Sequence, residues 1–218
     1  MPSRRADNSL VFKLVFWGPS MGGKTTGLEW IYNKEGLASG KLQSITDPTG
    51  RTLFFDRVVA RVSNVVFQCY TVAGQRRHKY QRKTVLKGSD AVLFFWDSSP
   101  DQWEENLYSL KELLQFYGPK ILAGPDGQSE IPLVVCANER DVPNPTPIDK
   151  IREVLNAAKL NNVLIYETIA ITGVNVKRAF VFAAREAVLK HYMRLQSGAT
   201  VAVEEDTEPK MEEPPKGP

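Results

Sequence analysis

The sequence has no apolar run able to cross a bilayer. Its longest, residues 91–96 and 131–137, fall far short of the roughly 20 residues a spanning helix needs. The amino end, Met1-Pro2-Ser3-Arg4-Arg5, lacks both an apolar signal core and the glycine that myristoylation requires, and residues 214–218 lack a prenylation cysteine. No covalent membrane anchor is expected, and the expected compartment is the cytoplasm. Cysteine is scarce. Cys69 and Cys136 each sit inside a strand-like apolar run, the setting of small buried thiols in a reducing compartment rather than of a disulfide. The two histidines, His78 and His191, share no ligand spacing with either cysteine, which argues against zinc.

What remains is ordinary globular material. With 218 residues, 42% hydrophobic and 24% charged, the chain can bury one sizeable core and gives no argument for two. Its charge is unevenly placed. Residues 197–218 hold six acids against two lysines, a net −4 in a chain of formal charge +3, so the rest carries +7. The basic residues are scattered except for Arg76-Arg77-His78-Lys79 with Arg82-Lys83, and no nucleic-acid partner is expected. The tail also has four prolines and almost no large apolar side chains, a composition that predicts disorder. The expected organisation is an extension over 1–9, a folded domain over 10–196 and an acidic tail over 197–218.

Strand-like and helix-like segments alternate along the domain. Strands are predicted at 11–17, 53–62, 65–72, 91–96, 131–137 and 163–169, and helices at 25–33, 102–116, 148–158 and 174–195. Ser63-Asn64 between two of the strands suggests an antiparallel hairpin. Continuous apolar strands interleaved with helices require a sheet covered on both faces. The predicted fold is a three-layer α/β/α domain with a mostly parallel six-stranded sheet and one antiparallel edge strand.

The segment Gly18-Pro19-Ser20-Met21-Gly22-Gly23-Lys24-Thr25 matches G-x-x-x-x-G-K-[ST] without a mismatch. Backbone N–H groups there turn inward on phosphates, and glycine permits the dihedrals and the close approach. Lys24 supplies a charge between the β- and γ-phosphates. The Thr25 hydroxyl, followed by Thr26, can ligate Mg²⁺, and the next helix presents its positive end. The motif directly follows an apolar strand and directly precedes a helix, which is the context that gives it meaning. A nucleoside triphosphate is the expected ligand.

The base is read further along. Asn138-Glu139-Arg140-Asp141 follows the strand at 131–137, and a carboxylate at Asp141 can accept from the N1–H and N2–H₂ of guanine. Adenine has no donors there, and sites built on such pairing reject the wrong partner by about 10⁴–10⁵-fold. Asn138 can hold the other edge of the base and tie this loop to the phosphate loop. The strand at 163–169 leads into Glu167-Thr168-Ile169-Ala170, and a small Ala170 lets its N–H reach guanine O6.

Together with Arg51-Thr52-Leu53-Phe54-Phe55-Asp56 and Tyr70-Thr71-Val72-Ala73-Gly74-Gln75, these motifs resemble those of the Ras-like small GTPases, over about residues 11–195. Within that superfamily the sequence is most similar to the MglA-like prokaryotic branch of polarity and gliding-motility GTPases, near the Arf and Sar families. The resemblance implies a phosphate-loop NTPase fold and a GTP/GDP switch with Mg²⁺, slow in hydrolysis and monomeric when free. It implies that Thr52, with Thr25, meets Mg²⁺, that Gly74 senses the γ-phosphate and that Gln75 orients the attacking water. Arg51 matches a residue that looks like a built-in arginine finger in that branch. Effectors and a GTPase-activating partner are implied too, the latter a roadblock-fold dimer like MglB.

Three positions depart from the wider pattern. Thr71 stands where most small GTPases have a metal-linked aspartate, as is typical of the MglA-like branch, with Asp56 a candidate substitute. Glu139 replaces a lysine that packs over the base, and Ile171 also stands where a lysine is common. A module that holds nucleotide without hydrolysing it stays open on these grounds, as does ATP chemistry on the phosphate loop alone. The basic cluster after Gln75 suits either an acidic partner or a solvated, mobile loop, and the acidic tail could fold onto it.

Overall fold

In the computed structural model the described residues are 2–4, 9–34, 57–62, 64–74, 78–122 and 129–196. They form strands β1 (Ser3–Arg4), β2 (Leu10–Trp17), β3 (Arg57–Val62), β4 (Val65–Thr71), β5 (Ala91–Asp97), β6 (Leu133–Asn138) and β7 (Leu164–Glu167). The helices are α1 (Lys24–Lys34), α2 (Lys79–Leu86), α3 (Trp103–Tyr117), α4 (Pro119–Leu122), α5 (Ile148–Ala157) and α6 (Val176–Gln196). The strand order is β3-β4-β2-β5-β6-β7, parallel throughout except for β3 against β4.

This is the expected three-layer fold with its mostly parallel sheet. One strand was not anticipated. β2 pairs with β5 only from Leu14 onward, which leaves the backbone of its first residues open on that side, and β1 fills the gap antiparallel, Ser3 opposite Val11 and Arg4 opposite Leu10. Helix α2 was not anticipated either, for reasons given below.

Alternation along the strands divides the core in two. Phe12, Leu14 and Phe16 of β2 pack with Leu93 and Phe95 of β5 against Leu28 and Ile31 of α1 and Ala179, Phe180 and Ala183 of α6. Val15 and Trp17 pack with Phe94 and Trp96 on the other face, against Leu110 and Leu113 of α3 and Ile151 and Leu155 of α5. Both faces are covered, which is why the strands read as unbroken apolar runs. The sheet order reverses at β2, which lies between β4 and β5. In open parallel sheets ligands bind at that reversal, beyond the carboxyl ends of the strands. The loop after β2 is the glycine-rich one.

Candidate functional site

The turn from β2 into α1 is built for glycine at two points. Gly23 has φ +85°, and a Cβ there would stand 2.1 Å from Asn138 Nδ2. At Gly18 a Cβ would come within 2.3 Å of the Phe95 carbonyl oxygen. The helix then begins with Gly27 N–H donating to the Gly23 carbonyl at 2.8 Å. Lys24 is only 6% exposed, and its Nζ donates across the loop to the Pro19 carbonyl. Ser20 and Thr25 are half-buried, Met21 and Thr26 exposed, Pro19 and Gly22 buried.

Asn138, the last residue of β6, is fully buried and joins three loops. Its Oδ1 accepts from the Thr168 hydroxyl at 3.1 Å and from the Ala170 N–H at 2.9 Å. Its Nδ2 donates to the Gly22 carbonyl at 3.3 Å and to Glu139 Oε1 at 2.9 Å. One side chain thereby fixes the phosphate loop, the Asn138–Asp141 turn and the Thr168–Ala170 turn relative to one another. Thr168 and Ala170 are buried, Ile169 is half-buried and Asp141 is exposed. The Ala170 N–H expected to reach the base is here donated to Asn138.

Glu139 is held at φ +59°. Burial raises its carboxyl above the ordinary value, and the neighbouring Asp97 and Asp141 carboxylates raise it further. Arg140 was overlooked in the sequence because it falls between residues expected to read the base. Its Nε donates to Glu167 Oε2 at 2.9 Å and its Nη1 to the Thr146 carbonyl at 2.6 Å, which braces the turn from the outside.

Gly74 lies directly over the phosphate loop. A Cβ on it would meet Ser20 N at 2.3 Å and the Pro19 carbonyl carbon at 2.6 Å. Thr71 is fully buried at the end of β4, opposite Phe16. Arg51, Thr52, Asp56, Gln75, Arg76 and Arg77 lie outside the described residues. Of the basic cluster, read as either a face for an acidic partner or a solvated, mobile loop, Arg82 does neither: it is buried on α2 and ion-paired with Glu112 at 2.7 Å. It sits one turn before Val85 and Leu86, on the buried side of the helix, so it is not available to a partner.

The geometry therefore joins the glycine-rich turn to the Asn138–Asp141 and Thr168–Ala170 turns through one carboxamide. The family model described as "ADP-ribosylation factor family" matches residues 5–186. The chain belongs to the ADP-ribosylation factor family of small GTPases. It is 38% identical over 172 residues to the mutual gliding-motility protein MglA of Myxococcus xanthus, covering 75% of this chain and 84% of that one. It is 27% identical over 179 residues to the Ras-related protein Rab-7a of Dictyostelium discoideum, covering 82% and 83%. Among solved structures, the Arl6 small GTPase of Trypanosoma brucei with bound GppNp superposes with a TM-score of 0.63 at 19% identity, over 83% of this chain and 99% of that one. As a small GTPase of the Arf, Rab and MglA type, the protein binds guanine nucleotide and is a GTP hydrolase. Among the described residues no helix is long and apolar enough to cross a membrane.

Proposed function

We propose that this small GTPase is a two-state switch: GTP and Mg²⁺ hold the segments around Thr52 and Gly74 together, and slow hydrolysis to GDP releases them. The folded domain spans 10–196 and works as a monomer when free. The observation that carries the reading is the Asn138 carboxamide, bonded to Gly22 at one end and to Thr168 and Ala170 at the other, because it couples the grip on phosphate to the check on the base.

A hard divalent cation suits the oxygen donors of this site, the Thr25 hydroxyl and the nucleotide's own phosphate oxygens, with Thr52 as the second protein ligand. When bound, Mg²⁺ neutralises charge on the β- and γ-phosphates. Lys24 would leave the Pro19 carbonyl for the same phosphates. Backbone N–H groups of the glycine-rich turn would receive them, Asp141 accepts from guanine and Gln75 orients the attacking water. Arg51 adds positive charge next to the γ-phosphate. An activating partner, a roadblock-fold dimer as in MglA-like systems, and effectors would read the segments that move.

Competition of GTP, GDP and ATP for the magnesium-loaded protein tests the reading. A guanine preference of about 10⁴-fold or more is expected, lost on Asp141→Ala, and equal binding of adenine nucleotides would overturn it. Gln75→Leu is expected to hold the GTP state. The buried Thr71 and the carboxylate of Glu139 are what favour a module that holds nucleotide without turnover. Phosphate release measured with and without an activating partner decides between the two.

A further inference from the structure

A buried ion pair stands directly behind the nucleotide site. Arg82 of α2 is 2% exposed and Glu112 of α3 is 3%. Arg82 Nη2 donates to Glu112 Oε1 at 2.7 Å, and Nη1 donates to the Ala73 carbonyl at 3.0 Å. The guanidinium carbon lies 5.8 Å from the centre of the Trp17 ring. Trp17 ends β2, immediately before Gly18, and its Nε1 donates to the Ser109 carbonyl of α3 at 3.0 Å. Ala73 is the neighbour of Gly74, whose missing Cβ would come within 2.3 Å of the Ser20 nitrogen.

Desolvating two charges gives a core little that apolar side chains of the same volume would not. A guanidinium fork does something apolar packing cannot: it holds two acceptors in one plane at fixed separation. Here one acceptor is a carboxylate on α3 and the other is the carbonyl beside the glycine that touches the phosphate loop. Displacing Gly74 together with Ala73 from that loop must either stretch the Arg82–Ala73 hydrogen bond or carry Arg82 and α2 with it, against the charge-assisted bond to Glu112. We infer that Arg82 and Glu112 are positioning residues, which set the Gly74 amide against the phosphate loop and thereby set the preference for a triphosphate over a diphosphate. The inference rests on Gly74 as the sensor of the terminal phosphate, as proposed above.

The full chain is titrated with GDP and with GppNp, a non-hydrolysable GTP analogue, and the ratio of the two affinities is the readout. Arg82→Met combined with Glu112→Leu removes both charges and leaves neither unpaired, so it is expected to melt no lower than the parent with GDP present. Its affinity for the analogue relative to GDP is expected to fall about tenfold. Glu112→Gln keeps the oxygen acceptor and is expected to keep most of the ratio. Arg82→Lys keeps a charge beside Glu112 without the fork that also reaches Ala73, and it is expected to lose the ratio nearly as far as the double variant. An unchanged ratio in the double variant reduces the pair to a structural role. Should the double variant fail to fold, an unchanged ratio in Arg82→Lys overturns the inference equally. A parent chain with no guanine preference would instead remove the reading beneath it.

Discussion

At the residue scale the site depends on side chains that are missing as much as on those present. Gly74 has only backbone atoms of Pro19 and Ser20 as nearest neighbours to an added Cβ, and backbone has no flexible end to yield. Gly74→Ala is expected to cut phosphate release by about 100-fold, the effect of misplacing a reacting group by about 1 Å, while GDP stays bound. A single-turnover assay beside a GDP titration checks both halves. Glu139 is set for the opposite effect. Its carboxyl is raised by burial, with Asp97 and Asp141 adding to it, so the stability it contributes is present below the ordinary carboxylate range and lost as pH rises through its raised value. Glu139→Gln keeps the oxygen that accepts from Asn138 and removes the charge. It is expected to melt higher than the parent at pH 7, with the difference vanishing toward pH 4, as thermal scans across that range would show.

At the scale of elements, the end of β5 is pinned to the start of α3 by a single amide. Asn106 Oδ1 accepts from the Asp97 N–H at 2.9 Å, and its Nδ2 donates to the Asp97 and Gln102 carbonyls at 2.7 and 2.8 Å. Residue 98 then bonds onward to the Asn138 and Thr146 backbone. Asn106→Ala would strand several buried groups at about 1–3 kcal/mol each. A loss of about 3 kcal/mol in urea unfolding is expected, together with weaker guanine binding. At the opposite end of β2, Lys13 donates to the Lys87 carbonyl at 2.9 Å and lies 5.1 Å from the centre of the Tyr70 ring. Burial lowers its amine to about 8 despite the nearby Asp90 carboxylate. The unfolded chain then binds that proton more tightly, so the stability contributed by Lys13 rises as pH climbs from about 8 toward the ordinary lysine value of 10.5. Any advantage of Lys13→Met in melting temperature should therefore shrink between those two pH values.

Helix α2 shows where reading elements from sequence fails. Lys79–Leu86 is mostly polar, and its buried face consists of Arg82, Val85 and Leu86. An arginine at a core position reads as solvated unless its partner is known, and Glu112 lies 30 residues away on another helix. The strands around the site were legible for the converse reason, since burial on both faces leaves an unbroken apolar run. Their ends moved by a residue or two, except that the strand predicted from residue 53 is described only from Arg57, and the helix predicted at 102–116 begins as a 3-10 turn, Pro100–Gln102, leading into α3.

At the scale of the whole molecule, the two half-cores place both cysteines on the α1/α6 side of the sheet. Burial pushes both thiols well above their ordinary value, which removes the reactive thiolate. Neither Cys69 nor Cys136 is expected to react with a thiol reagent in the folded protein, and both should react once denaturant unfolds it. Two equivalents released in the native state would contradict the packing described here.

The sequence by itself determined the order of strands β2–β7 and of helices α1, α3, α5 and α6, the glycine-rich turn with Lys24 and Thr25, and the two later segments suited to a purine, because each is written in residues close together along the chain. The tertiary structure alone decided that Asn138 meets Gly22 across 116 positions, that Gly74 rests on Ser20 and that Arg82 turns inward to Glu112 and Ala73. Those contacts depend on which strands neighbour which and in what register. A buried polar group finds its partner only after the sheet has brought distant segments together.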